Sequence, residues 1–356
     1  MKRVCLVCEV MHQPFDEGIR IFAAQLARAL AVSEKQKLLL LSERDSEFDG
    51  LAIHGALSDR WFLGRDLAHR IASFAPEAIV YVPWTSLTAR TLIRVRVLRR
   101  YAPGCRIAVV ALQPRPADLM TRGMARMSRP DVVLVAGPGA QRQAGRLGLP
   151  ARRIVPGVDL ARFHPAAPEQ RERLRQRAGI APGRFVVLHV GHMKESRNLA
   201  VIEYLAALEG VTCMVVASTS TLADSALSCR LAAAGALVMS HHEDRIEHAY
   251  RLADAYLFPV TSELDAIETP LSVLEAAACD LAIVSTPFGG LPDLLAGAAI
   301  WAGTPAEMIE AVRTLAAARA TGAAPAASTR GAVAGLTWER LARQVMLALE
   351  GREETA

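Results

Sequence analysis

The sequence predicts an α/β protein of two successive parallel-sheet domains, and three observations support that expectation. Short apolar runs alternate with helical periodicity from end to end, as in parallel sheets covered by helices. The alternation restarts after a Pro- and Gly-bearing segment, VPGVDLARFHP, near the middle of the chain. At 356 residues and 52% apolar composition, the chain can fill two cores and is far from a disordered composition.

In the first half, strands are expected at RVCLVCEV, KLLLLSE, AIVYVP, IAVVAL and DVVLVAG. The helix EGIRIFAAQLARALA follows the first of them, with Ile19, Phe22, Leu26 and Leu30 spaced for one buried face. Beyond the join, the strand RFVVLHVGH has Gly191 at its end, the helix NLAVIEYLAALEG is stopped by Gly210, and VTCMVVAS is the next strand. GALVMS, the helix EDRIEHAYRLADA, YLFPV, the helix LSVLEAAACD and LAIVST complete the second set. The amphipathic helix TWERLARQVMLALEG is expected to pack across both domains. The boundaries are set at 1–155, a linker at 156–166, a second domain at 167–335, and a helix at 336–351 that returns to the first domain. Ligands bind outside the carboxyl ends of parallel strands, so the two domains are expected to face a shared cleft.

Composition excludes several classes. No apolar run reaches the ~18 residues of a membrane span, and the opening Val4 to Met11 contains Glu9 and leads to no cleavage site, so a cytoplasmic protein is expected. Cys5 and Cys8 form the one CxxC, on a strand where they point to opposite faces, so buried thiols are favoured over a zinc site. Residues 1–160 hold 24 Lys+Arg against 14 Asp+Glu, whereas the remainder of the chain is net acidic. The densest piece is ARTLIRVRVLRRYAPGCR, with Arg90, Arg94, Arg96, Arg99, Arg100 and Arg106. It is read first as solvated helix surface and second as a contact for an anionic membrane surface at the inner face. With aromatics at 5%, no stacking platform supports nucleic-acid binding.

Three segments could carry chemistry. In VGHMKESRN, His192, Lys194 and Arg197 project from the turn between a strand and a helix, where backbone amides also point, which suits a diphosphate. In LDAIETPLSVLEAAACD, Glu268 precedes a helix beginning near Thr269 or Pro270, and Glu275 lies inside it. First-turn amides make an anion site, and carboxylates can accept sugar or ribose hydroxyls. In STPFGGLPDLL, Gly289 and Gly290 allow close backbone approach to a ligand. Gly137 and Gly139 begin a dinucleotide fingerprint, but Arg142 occupies its third glycine position, which argues against NAD. HHEDRIEH lacks metal-ligand spacing and reads as a helix start with His241 and His242 exposed. No GxxxxGK[ST] is present.

Taken in order, these segments resemble the retaining glycosyltransferases of family four (glycosyl transferases group 1), which have the GT-B fold of two Rossmann-like domains. VPGVDLARFHP is similar to the family's interdomain segment, VGHMKESRN to its phosphate-binding turn, and YRLADAYLFPV…IETPLSVLEAAACDLAIVSTPFGGLPDLL to its donor-site signature. The likeness covers about 190 residues, 155 to 345. In the first half it is confined to the opening and to DVVLVAGPGAQRQAGRLG.

The resemblance implies a hexosyl transfer from a nucleotide-diphosphate sugar, as co-substrate, to a hydroxyl acceptor such as a glycan, a lipid-linked glycan or a small metabolite. No metal or other cofactor is implied. Arg197 would neutralise the donor diphosphate, with Gly191, His192 and Lys194 in the same turn. Glu275 would hold ribose hydroxyls, and Glu268 would touch the transferred sugar. The backbone of Thr269, Pro270 and Leu271 would lie beneath the phosphate, and Gly18, in PFDEGIR, stands where the family has a glycine pair.

Three departures accompany it. Glu268 and Glu275 enclose six residues where the family leaves seven, so Ile267 occupies the register of the first glutamate. The glycine pair is reduced to Glu17-Gly18. Gln113 stands where many relatives have a histidine and cannot act as a general base, so catalysis would lean on the donor's own phosphate. Two rival readings are a non-catalytic GT-B-like binding or complex-forming protein and a GT-B sugar epimerase.

Overall fold

Strands buried on both faces must be apolar throughout, and the uninterrupted runs of this chain become the inner strands of two sheets. A computed structural model describes residues 2–32, 36–220, 224–241, 243, 245–322 and 328–352. It divides into two compact units, Met1–Gly157 with Ile267–Thr269 and Trp338–Ala356, and Val158–Ala266 with Pro270–Thr337. Each has an α/β fold of its own.

In the first unit the strands are β1 (Lys2–Val7), β2 (Gln36–Ser42), β3 (Ser46–Phe48), β4 (Leu51–Gly55), β5 (Ala78–Tyr81), β6 (Arg106–Ala111), β7 (Val132–Val135) and β8 (Ala151–Arg153). They are ordered β3-β4-β2-β1-β5-β6-β7-β8, and every pair is parallel except β3 and β4. That hairpin turns at Asp49-Gly50, both at positive φ (51° and 76°), the pair a two-residue hairpin of this hand favours. Neither the hairpin nor β8 is among the strands expected above.

The helix Gly18–Ala31 buries Ile19, Phe22, Leu26 and Leu30, the four residues its periodicity selects. Against it lies the helix Trp338–Glu350, whose Trp338 meets Phe22 edge-on at 5.8 Å between ring centroids. This last helix clusters with the first unit, as do Ile267–Thr269.

The second unit holds β9 (Phe185–Gly191), β10 (Val211–Ala217), β11 (Leu237–Met239), β12 (Ala255–Phe258), β13 (Ala282–Ser285) and β14 (Ala299–Trp301), ordered β11-β10-β9-β12-β13-β14 and parallel throughout. Only β14 is absent from the sequence expectation. Pro270 has φ −65° and ψ 124°, so it is the cap of the helix Leu271–Ala278 rather than its first residue.

The helix Ala89–Tyr101 corrects the reading of the arginine cluster. Arg94 is buried, and its guanidinium pairs with Glu9, donates to Tyr81 Oη at 2.9 Å and to the Arg60 carbonyl at 2.9 Å, and lies over the Phe62 ring. Arg99 donates to Asp131 at 2.9 Å. Arg90, Arg96, Arg100 and Arg106 remain exposed. Cys5 and Cys8 are free thiols, both buried. No helix among the described residues is long and apolar enough to cross a membrane. His241 is exposed, while His242 lies outside the described residues.

Candidate functional site

In a doubly wound sheet, ligands sit beyond the strand ends where the order of connection reverses, because there the loops diverge and leave a crevice. The first unit reverses between β1 and β5, the second between β9 and β12. The two places are built differently.

Beyond β1 and β5 the crevice is occupied by the chain itself. Glu9 follows β1, Tyr81 ends β5, and both bond to Arg94, while the Trp84 amide donates to the second Glu9 oxygen at 3.3 Å. A buried carboxylate is thereby matched by a cation, a phenol and a backbone amide.

Beyond β9 and β12 the backbone passes directly into a cationic turn. Gly191 ends β9 at φ +152°, and a Cβ there would collide with Arg197 Nη1, so glycine is required by both its backbone and the guanidinium beside it. Arg197 is buried at the end of a short 3-10 turn, Glu195–Arg197. Asn198 follows in the left-handed conformation and ties the turn to the loop after β12, donating to the Pro259 carbonyl at 3.1 Å and to Thr261 Oγ1 at 3.2 Å. His192 is half-buried and Lys194 exposed.

A row of rings joins this turn to Glu275. His189 stacks on Tyr256 at 6.4 Å and Tyr256 on Tyr250 at 6.0 Å, and Tyr250 Oη donates to Glu275 Oε2 at 2.7 Å. Tyr256 Oη donates to the Val190 carbonyl at 3.1 Å. Desolvation pushes the Glu275 carboxyl up to about 7, against the opposing effects of the Tyr250 hydrogen bond and the Arg162 charge. The helix that carries Glu275 has no side chain capping its N-terminus, which leaves the Leu271 end of the helix able to take an anion. Gly289 adopts φ +54° and Gly290 caps the short helix Leu291–Leu295.

Glu268 makes contacts that the resemblance does not imply. It is fully buried in the first unit, where Oε1 accepts from the Gly139 amide at 2.6 Å and Oε2 from the Ala140 amide at 2.8 Å. It therefore caps the helix Pro138–Arg146 and complements its positive end. A Cβ on Gly137 would lie 2.6 Å from Glu268 Cβ, and one on Gly139 2.7 Å from Oε1. The glycines that look like a broken dinucleotide fingerprint thus make room for the protein's own carboxylate.

Both neighbours of Glu268 pack in the same unit. Thr269 Oγ1 donates to the Ala136 carbonyl at 2.7 Å. Ile267 lies 3.5 Å from where Gly18 would carry a Cβ, so an apolar side chain fills the space over Gly18. Glu17 caps the helix Gly18–Ala31, accepting from the Ile19 amide at 3.0 Å and the Arg20 amide at 3.2 Å. Gln113 is buried, and its Oε1 accepts from Arg115 at 2.9 Å. The expected residues therefore fall into two sets: Gly191, His192, Lys194, Arg197, Pro270, Leu271, Glu275, Gly289 and Gly290 in the second unit, and Gly18, Gln113, Glu268 and Thr269 in the first. The ring row and the Glu9–Tyr81–Arg94 cluster are absent from the sequence reading.

Residues 184–318 match the family described as glycosyl transferases group 1. Among solved structures, the chain is similar to sucrose-phosphate synthase from Thermosynechococcus elongatus, at 14% identity, TM-score 0.78 and 99% coverage of each chain. It is also similar to Anabaena HepE in complex with UDP-glucose, at 14% identity, TM-score 0.74, and coverage of 99% of this chain and 100% of that one. A glycosyltransferase from Rickettsia africae aligns at 12% identity, TM-score 0.74 and 98% coverage of each chain. No curated protein matches the sequence.

Proposed function

Because residues 184–318 match the glycosyl transferases group 1 family and the whole chain has the GT-B fold, we propose that the protein transfers a sugar from a nucleoside-diphosphate sugar to a hydroxyl acceptor. In this proposal the transfer retains the anomeric configuration and uses no metal. The observation that carries the reading is the contrast between the two switch points: the first unit fills its own with an ion pair, whereas the second presents Gly191 and the Arg197 guanidinium. Arg197 takes the diphosphate, with His192, Lys194 and the Leu271 end of its helix adding positive potential. Glu275 accepts ribose hydroxyls, and the Gly289-Gly290 backbone lines the donor. With Gln113 held by Arg115 and Glu268 by helix amides, the departing phosphate serves as the base. UDP-glucose, bound by Anabaena HepE, is the first donor to try, and UDP, also bound by that protein, the first leaving nucleotide to test for binding.

Arg197→Ala and Glu275→Ala are each expected to weaken nucleoside-diphosphate binding about 100-fold in calorimetric titration, since each removes a charged hydrogen-bonding partner. Unchanged isotherms for both would end the proposal. The pH dependence has a definite sign. Glu275 accepts hydroxyls as a carboxylate, and with its pKa raised to about 7 the affinity is full above pH 7 and falls as pH drops below it. Glu275→Gln removes that component of the profile, and identical profiles for the two proteins would show that Glu275 does not contact the ligand.

A second reading has one observation in its favour. Ile267 stands in the register of the family's first glutamate and packs over Gly18, while Glu268 is consumed as a cap, as in a protein that binds nucleotide sugars without transferring them. Turnover separates the two: donor-dependent transfer, or slow donor hydrolysis, supports the enzyme.

An anionic membrane surface is proposed as a partner, now through a different face. The helix Leu119–Met127 exposes Leu119, Met120 and Met127 beside exposed Arg122, Arg126 and Arg129, while Thr121 and Ala125 face inward. Apolar and cationic residues on one face of a helix suit an anionic lipid interface. The protein is expected to float with phosphatidylglycerol vesicles and not with phosphatidylcholine alone. Replacing Leu119, Met120 and Met127 by serine should abolish flotation; persistence would reject this face.

A further inference from the structure

His189 lies two residues before Gly191 on β9 and is almost wholly buried. The ladder between β9 and β12 ends at the pair Leu188–Tyr256, and just beyond it the imidazole takes the place of a backbone donor, with Nδ1 2.9 Å from the Leu257 carbonyl. A carbonyl only accepts, so Nδ1 carries the proton and Nε2 presents a lone pair. Among the described residues, no atom bonds Nε2. A buried acceptor left unmatched is rare and calls for a partner. Nε2 lies 3.6 Å from where Gly191 would carry a Cβ, the position against which Arg197 Nη1 also packs. Burial, reinforced by the Arg197 charge, lowers the imidazole pKa to about 3, so the ring stays neutral and remains an acceptor across the physiological range.

We propose that His189 is a positioning residue for diphosphate recognition: its Nε2 accepts one N–H of Arg197 when the guanidinium turns its remaining N–H groups toward the ligand. A guanidinium is a planar fork of five donors, and fixing one edge on a neutral acceptor aims the other edge. A protonated or carboxylate neighbour could not do the same, the first because it repels the cation and the second because it competes with phosphate for it. This inference rests on the diphosphate reading of the Arg197 turn.

The test uses UDP, GDP and ADP as calorimetric probes on the wild-type chain, Arg197→Ala, His189→Phe and His189→Gln. His189→Phe is expected to bind the preferred diphosphate about 10-fold more weakly, while His189→Gln, whose amide oxygen can still accept, stays within about 3-fold of wild type. If the wild type binds none of the three, the diphosphate reading itself fails. If it binds one, and His189→Phe matches it or His189→Gln is as weak as His189→Phe, the positioning role alone fails. The imidazole nitrogen resonances of the wild type give a readout independent of any substitution. His189 Nε2 should show an unprotonated signal that does not titrate between pH 5 and 8 and shifts upfield as UDP, or whichever of the three probes binds, is added. A titrating signal, or one unmoved by a diphosphate that binds, overturns the proposal.

Discussion

Replacing Arg94 by leucine is expected to lower stability by about 3–5 kcal/mol, because it leaves a carboxylate without its cation in a site that excludes water. Glu9 and Arg94 are only 4% exposed each, and the pair is fixed by Tyr81 Oη and the Trp84 amide. Removing one partner leaves Glu9 with a neutral donor set insufficient for its charge. The pair itself contributes little net stability once desolvation is counted, so the double replacement Glu9→Gln with Arg94→Met should recover at least half of the loss. Chemical denaturation followed by tryptophan fluorescence reads both. A loss under about 1 kcal/mol for Arg94→Leu would show that the cluster is solvated rather than a buried pair.

Glu268→Ala is expected to cost about 2–3 kcal/mol, since two charge-assisted bonds to the Gly139 and Ala140 amides are lost and those amides stay buried. The decisive comparison is with ligand binding. A capping residue in the first unit should leave diphosphate affinity within about 2-fold while the melting temperature falls by several degrees. A residue that touches the transferred sugar would lower turnover and leave the melting temperature alone. Gly139→Ala should destabilise in the same way, by about 1–3 kcal/mol, because its Cβ would press on the Glu268 carboxylate.

The inner strands and the long helices were legible because their signal is local. Apolar runs such as AVVAL and VVLHV, and the spacing of Ile19, Phe22, Leu26 and Leu30, are enough by themselves. β8 and β14 have three residues each, too few for any period, whereas the Asp49-Gly50 dipeptide is itself a local hairpin signal. At the site, the turn from Gly191 to Arg197 could be found because glycine and cations follow a strand directly. The contacts of Glu268 are hidden in the sequence for the opposite reason: its partners lie 128 and 129 residues away, and its neighbours in the sequence resemble a ligand-binding pattern. Arg94 did leave a trace. It falls three residues after Thr91 and four before Leu98, both buried, so the helical period itself places it on the inner stripe. The ring row was invisible because stacking of His189, Tyr256 and Tyr250 depends on which strands are adjacent.

The first unit is assembled from three separate stretches of chain, the last of them beginning at Trp338. During synthesis its sheet therefore emerges before the carboxylate of Glu268 that closes the helix Pro138–Arg146, and earlier still than the helix beginning at Trp338 that covers Phe22. The second unit, made in between, can finish first, so a fragment ending near Gly157 should be recovered as an aggregation-prone species, whereas adding the Trp338–Glu350 segment in trans should improve its solubility.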